Sequence, residues 1–272
     1  MKKIIALFLL LVPAIVWSQK PTPEDEKAGL ETEYSSHQAH PKADRVALAD
    51  TSSSATEPLP RDSNWIKRHE GFVEIAKKGS IDVLFLGDSI TDNWRKPNFG
   101  LAIWEKNFAP LYAANFGISG DRTQHVLWRI ENGELTGIKP RVVVLMIGTN
   151  NTGFERDRRT PRNSTPETIS GITAIVHSLR TQLPETKILL FAIFPRAEKP
   201  TDPARRQIHE INQAIAKLHD GTHIFFLNIG AKFLEPDGTM LKEIAPDFLH
   251  PNTKGYEIWA EAIKQPLADL LK

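Results

Sequence analysis

The chain has 272 residues, 40% of them hydrophobic and 25% charged, which suits one large globular domain or two small ones. Its 34 basic and 33 acidic residues leave a net charge of +1, so composition gives no polycationic surface for nucleic acid or an anionic membrane. There is no cysteine, which excludes disulfides, a thiolate nucleophile, a thiolate metal site and a lipid-modified N-terminal cysteine.

In chain order, Lys2 and Lys3 come first, then an apolar run from Ile4 to Trp17, then Ser18. A basic start, an apolar stretch and small residues before a break predict a secretory signal peptide over residues 1–18. The expected cut precedes Gln19, with Val16 and Ser18 third and first before it. The run is short for a bilayer span and Pro13 interrupts it, so no stable membrane insertion is expected once the signal is removed; an uncleaved anchor is the alternative. Export implies a secreted or periplasmic protein. Residues 19–60 hold Pro-Thr-Pro and Thr-Ser-Ser-Ser and few large apolar side chains. They read as a polar leader, either disordered or wrapped on the domain surface, with the folded domain over 61–272.

Five short apolar runs then read as strands: Asp82–Leu86, Tyr112–Phe116, Val142–Ile147, Lys187–Phe194 and His223–Leu227. Most lack strict alternation, so both sheet faces should be covered, as in a parallel sheet. Helical spacing lies between and after them. Ile169, Ile172, Val176, Leu179 and Leu183 recur at three- and four-residue steps behind a Ser164/Glu167 capping box. Ile208, Ile211, Ile215 and Leu218 repeat the pattern, and Tyr256, Trp259, Ile263, Leu267 and Leu270 form a last helix. Strand–helix alternation predicts an α/β fold: a doubly wound, five-stranded parallel sheet with helices on both faces. Active sites in such sheets lie beyond the carboxyl ends of the strands.

The chemistry-bearing residues fall at those ends. The first strand runs into Gly87-Asp88-Ser89-Ile90-Thr91, which exposes a serine for attack or, equally, only caps a helix. The second ends in Gly117-Ile118-Ser119-Gly120-Asp121, where glycines let backbone N–H groups approach a ligand, or simply form a turn with Asp121 as N-cap. The third ends in Gly148-Thr149-Asn150-Asn151, where an Asn amide can meet a developing oxyanion or shape a turn. Just before the last helix lies Asp247-Phe248-Leu249-His250. An acid and a base three residues apart can serve a serine hydroxyl, although a lone motif of this kind is more often a surface turn.

Gly-Asp-Ser, a glycine loop, Gly-x-Asn and Asp-x-x-His, in this order, resemble the SGNH (GDSL-type) hydrolases over roughly residues 61–272. Within them the chain is most similar to the platelet-activating-factor acetylhydrolase catalytic-subunit type. The residues that carry this are Asn-Phe-Gly-Ile-Ser-Gly-Asp-Arg-Thr-Gln-His-Val-Leu-Trp-Arg-Ile at 115–130, Asn-Gly-Glu-Leu at 132–135, Gly-Thr-Asn-Asn at 148–151 and Asp-Phe-Leu-His at 247–250. The resemblance implies a flavodoxin-like three-layer sandwich and a serine esterase of short acyl groups that needs no cofactor or metal. In it Ser89 is nucleophile, His250 base and Asp247 the orienting acid. The oxyanion hole is the Ser89 and Gly120 N–H groups with the Asn150 side chain, and Ile90, Thr149 and Leu249 wall a small acyl pocket. A few extra residues near Lys96–Gly100 could reshape the mouth.

His69, His125, His177, His209, His219 and His223 show no metal-ligand spacing, Trp94 and Trp104 read more as core than as a sugar floor, and Arg158, Arg159 and Arg162 read as solvated. An α/β-hydrolase is a poor reading, because its Gly-x-Ser-x-Gly would need glycine where Thr91 stands. A carbohydrate-binding module on the same fold remains the non-enzymatic alternative. The resemblance implies acetyl esters, export implies an extracellular one, and a nearly neutral chain without an amphipathic interfacial helix argues against a lipid surface, so the expected substrate is an O-acetyl ester on an extracellular glycan. A phospholipid acetylhydrolase or lysophospholipase is the alternative, and homodimerisation stays open.

Overall fold

The computed structural model describes residues 54–155, 157 and 159–272, so the signal-peptide reading and most of the leader lie outside the described residues. One sheet contains β1 (Val83–Gly87), β2 (Ala113–Gly117), β3 (Val142–Met146), β4 (Lys187–Phe191) and β5 (Ile224–Leu227). All neighbours are parallel, in the order β2-β1-β3-β4-β5. β1 pairs with β2 from Val83↔Ala113 to Gly87↔Gly117, and with β3 from Val83↔Val142 to Gly87↔Met146. The winding reverses beside β1, so its carboxyl end opens onto the crevice where such sheets bind ligands.

Helices cover both faces, as the unbroken apolar strands require. α1 (Ser63–Lys77), α4 (Thr123–Glu131), α5 (Thr165–Gln182) and α6 (Pro203–Ile215) pack on one face against Leu84, Leu86, Val143 and Leu145. α3 (Leu101–Asn107) and α7 (Thr253–Leu270) pack on the other, against Val83, Phe85, Val142 and Val144. Successive strand residues thus alternate between two cores. The run expected to reach Phe194 leaves the sheet at Phe191, because β5 ends at Leu227. Ile193 N instead donates to Asn212 Oδ1 at 2.8 Å.

The capping box before α5 is formed, with Ser164 and Glu167 each satisfying the other's backbone N–H. Residues 54–60 lie on the domain. Ala55 is fully buried, its carbonyl accepts from Thr123 Oγ1 at 2.7 Å, and Leu59 N donates to Gln124 O at 3.1 Å. No helix among the described residues is long and apolar enough to cross a membrane.

Candidate active site

β1 delivers Gly87, and the chain turns at once into a short helix, α2 (Ser89–Asp92). Asp88 is its N-cap, with its carboxylate accepting from Ile90 N at 2.9 Å. That leaves the Ser89 hydroxyl uncommitted to capping, and Ser89 Oγ stands 2.9 Å from His250 Nε2. Burial pushes the Asp88 carboxyl up to about 7, against the pull of the Ile90 N–H.

The Asp247–His250 turn is built by the Asp247 carboxylate itself. Oδ1 accepts from His250 N at 2.7 Å and from Leu249 N at 3.1 Å, while Oδ2 lies 2.7 Å from His250 Nδ1. The tight turn needs Phe248 in the left-handed region at φ 56°. Phe248 is held there by Ala197 N, which donates to its carbonyl at 2.8 Å, and Ala197 is itself left-handed at φ 67°. Burial raises the Asp247 carboxyl, but the hydrogen bonds from His250 outweigh it and hold the group below its ordinary value. With the proton on Nδ1 facing that carboxylate, the lone pair of Nε2 faces Ser89 Oγ.

The glycine loop packs tightly against α2. A Cβ on Gly117 would stand 2.3 Å from Asp92 N, so only glycine fits, and Gly120 needs its positive φ of 84°. Ser119 Oγ donates to Asp92 Oδ2 at 2.7 Å, and Arg61 Nη1 donates to Ser119 O at 2.9 Å and to Asp121 Oδ1 at 3.1 Å. Asp121 does not cap α4; that position belongs to Arg122. Its carboxylate turns inward to Trp65 Nε1 at 2.7 Å and to Arg129 Nε at 3.1 Å, and the buried Arg129 also pairs with Glu134.

Asn150 follows β3, and its Nδ2 donates to Asp121 O at 3.0 Å, joining the third loop to the second. Asn151 lies beneath, accepting from Thr123 N at 3.0 Å and donating to Asn163 Oδ1 at 2.9 Å. Two arginines hold the same loop from its far side. Arg196 Nη1 donates to Thr149 O and Arg162 Nη1 to Asn150 O, both at 3.1 Å.

These parts line a cavity of about 740 Å³ containing Ser89, Gly120, Asn150, Asp247, Leu249 and His250. Its mouth includes Lys96, Asn98 and Phe99 from the extra segment, with Asn93, Ser119 and Asn252 completing a polar rim. Of the three residues expected to wall an acyl pocket, Ile90 and Thr149 are not among those lining this cavity. Each lies in a helical turn, Ile90 second in α2 and Thr149 first in the turn after β3, and is buried, with Ile90 1% and Thr149 2% exposed; only Leu249 of the three lines the cavity. Trp94 is fully buried against Tyr256 and Trp259, and Trp104 packs on Phe85, so neither floors a sugar site. Among the described residues no His, Asp and Glu side chains converge as a metal-binding group.

The sequence pattern of the GDSL-like Lipase/Acylhydrolase family matches residues 85–258. The chain belongs to that family. The platelet-activating factor acetylhydrolase IB subunit alpha2 of Homo sapiens is 36% identical over 219 residues, covering 80% of this chain and 90% of the relative. Subunit alpha1 of Homo sapiens is 36% identical over 225 residues, with the same coverage. Among solved structures, a GDSL-like lipase from Bacteroides thetaiotaomicron superposes with a TM-score of 0.58 at 22% identity, covering 74% of this chain and 97% of that one. An acetyl-xylooligosaccharide esterase from Geobacillus superposes at 0.53 with 25% identity, covering 70% and 95%. The protein is a GDSL/SGNH acylhydrolase and a carboxylic ester hydrolase, which displaces the binding-module alternative.

Proposed function

We propose that Ser89, His250 and Asp247 form the catalytic triad of an esterase that removes short acyl groups, acetyl first, from an extracellular carbohydrate. The observation that carries this is the continuous hydrogen-bonded line from Ser89 Oγ through His250 to Asp247, at 2.9 and 2.7 Å, opening on the cavity. In this mechanism Ser89 Oγ attacks the ester carbonyl as its proton passes to His250 Nε2. The backbone N–H groups of Ser89 and Gly120 and the Asn150 amide meet the charge that forms on the carbonyl oxygen. Collapse expels the alcohol, which takes the proton from His250, and water then repeats the sequence on the acyl-enzyme.

The polar rim of Asn93, Lys96, Asn98 and Asn252 suits a hydroxyl-rich alcohol better than an alkyl chain. The names of the relatives above, an acetylhydrolase and an acetyl-xylooligosaccharide esterase, both specify acetyl esters. A phospholipid substrate is the second reading, favoured by the 36% identity to platelet-activating factor acetylhydrolase subunits. Labelling with a fluorophosphonate probe tests the nucleophile: an adduct is expected at Ser89, and its absence overturns the assignment. Acetylated glycans run beside acetylated phospholipids separate the two substrates. Export belongs to the same reading; N-terminal sequencing of secreted material is expected to start near Gln19. Homodimerisation, suggested by relatives named as subunits, is checked by light scattering.

A further inference from the structure

We propose that a second cavity beside the first is a subsite for the carboxylate of an acidic sugar, held by Arg162 and Arg196. This rests on the reading that the Ser89 site deacylates a carbohydrate. The second cavity measures about 840 Å³, and Asp247 and Leu249 line it as well as the first. One turn of chain therefore walls both spaces, so a sugar whose ester lies at Ser89 has neighbouring groups within reach of the second.

The two guanidinium groups are brought together by the loop they support. They donate to the carbonyls of consecutive residues, Thr149 and Asn150, and both line the cavity. Burial depresses the Arg196 guanidinium, and the charge of Arg162 depresses it further. Neither group is fully used. Arg196 spends Nη1 on Thr149 O and the more distant Thr152 Oγ1; its Nε and Nη2 meet no acceptor among the described residues. Arg162 spends Nη1 on Asn150 O, and its Nε lies 3.6 Å from Glu155, leaving Nη2 without an acceptor among the described residues.

The carboxylates that also line the cavity are already engaged. Asp202 Oδ1 accepts from Ala204 N at 2.8 Å, Glu167 Oε2 from Ser164 N at 2.7 Å, and Asp247 is held by His250. The lining holds three carboxylates against two guanidiniums, but the carboxylates already accept hydrogen bonds, so what the cavity keeps unspent is N–H donors. A planar carboxylate matches the guanidinium fork and relieves the repulsion between the two arginines. Half of the sixteen lining residues are polar or charged, and Asn163 and Gln207 among them offer partners for sugar hydroxyls.

The test compares monoacetylated glucuronic acid with glucose acetylated at the same position. The wild type is expected to prefer the acid by about tenfold or more in kcat/KM, as for a desolvated charge pair. Arg162→Gln and Arg196→Gln are each expected to remove most of that preference, whatever they do to the absolute rates. If Arg196→Gln does not fold, Arg196→Lys keeps a donor for Thr149 O and loses the fork. A wild type without preference, or variants that keep it, overturns the proposal. Calorimetry on the full-length Ser89→Ala protein gives a readout independent of turnover. Glucuronate is expected to bind more tightly than glucose and than glycerol 3-phosphate. Tighter glycerol 3-phosphate assigns the cavity to a phosphate headgroup and overturns the sugar-acid proposal. Turnover of p-nitrophenyl acetate without acid preference defeats the subsite alone, whereas no turnover of any ester defeats the serine-esterase reading and leaves calorimetry to decide the subsite.

Discussion

Replacing Asn150 by alanine separates a catalytic donor from a structural one. The side-chain amide carries two N–H groups, and the structure commits one of them to Asp121 O at 3.0 Å. The other is the one assigned to the oxyanion. Loss of a preorganised oxyanion donor costs about 3–4 kcal/mol, a fall in kcat of about a hundredfold to a thousandfold. KM should barely move, because the lost bond strengthens only in the transition state. The bond to Asp121 is a separate loss, worth about 1 kcal/mol of stability. In a domain of this size that lowers Tm by about 2–4 °C. Steady-state hydrolysis of p-nitrophenyl acetate and a thermal melt on one preparation read both effects. A kcat within a few-fold of wild type, with the Tm loss present, would show that Asn150 only joins two loops and would refute the reasoning.

Further outcomes follow from other parts of the site. Ser89→Ala and His250→Ala should each lower kcat by at least about a thousandfold, since triad members act as a unit; Asp247→Asn should cost less, and near-normal turnover by purified Ser89→Ala sinks the triad. The Asp88 carboxyl rises from 3.8 to about 7 on burial, so the native state holds the extra proton between those values and stability falls as pH rises through that window. Asn caps a helix as well as Asp, so Asp88→Asn should make Tm fall less steeply between about pH 4 and 7; buried Glu134, also raised to about 7, leaves part of the slope. An unchanged slope in Asp88→Asn would remove Asp88 as its source. Ala197, left-handed at φ 67°, should gain from Ala197→Gly by about 0.5–1 kcal/mol, the relief of αL strain less the entropy of glycine; a lowered Tm would count against this.

The sheet was legible because each strand is a short, mostly apolar run. Val142–Met146 is buried at every position, which only a sheet covered on both faces explains. The loops after β1, β2 and β3 were legible for the same reason, since their glycines and polar residues break those runs. α1 was less visible. Its inward stripe of Trp65, His69, Phe72 and Ala76 is interrupted by a histidine and flanked by charges. The roles of Arg162 and Arg196 left no local signal, because their acceptors are backbone carbonyls 12 and 47 residues away. Ile90 and Thr149 show the opposite limit. Adjacency to a site residue says nothing about direction once the chain enters a helical turn, where neighbours point about 100° apart.

The contact between Ser89 and His250 closes a loop of 161 residues. α7, which follows His250 directly, is fastened to the start of α2 by Tyr256, whose hydroxyl donates to Ile90 O at 2.6 Å. Loop closure on that scale comes late when a chain folds, after local helices and neighbouring strands have formed. Hydrolysis therefore reports the docking of one helix rather than the presence of the sheet. In refolding from denaturant, ester turnover should return more slowly than far-ultraviolet circular dichroism. Chains that have regained their secondary structure without seating α7 are silent towards substrate.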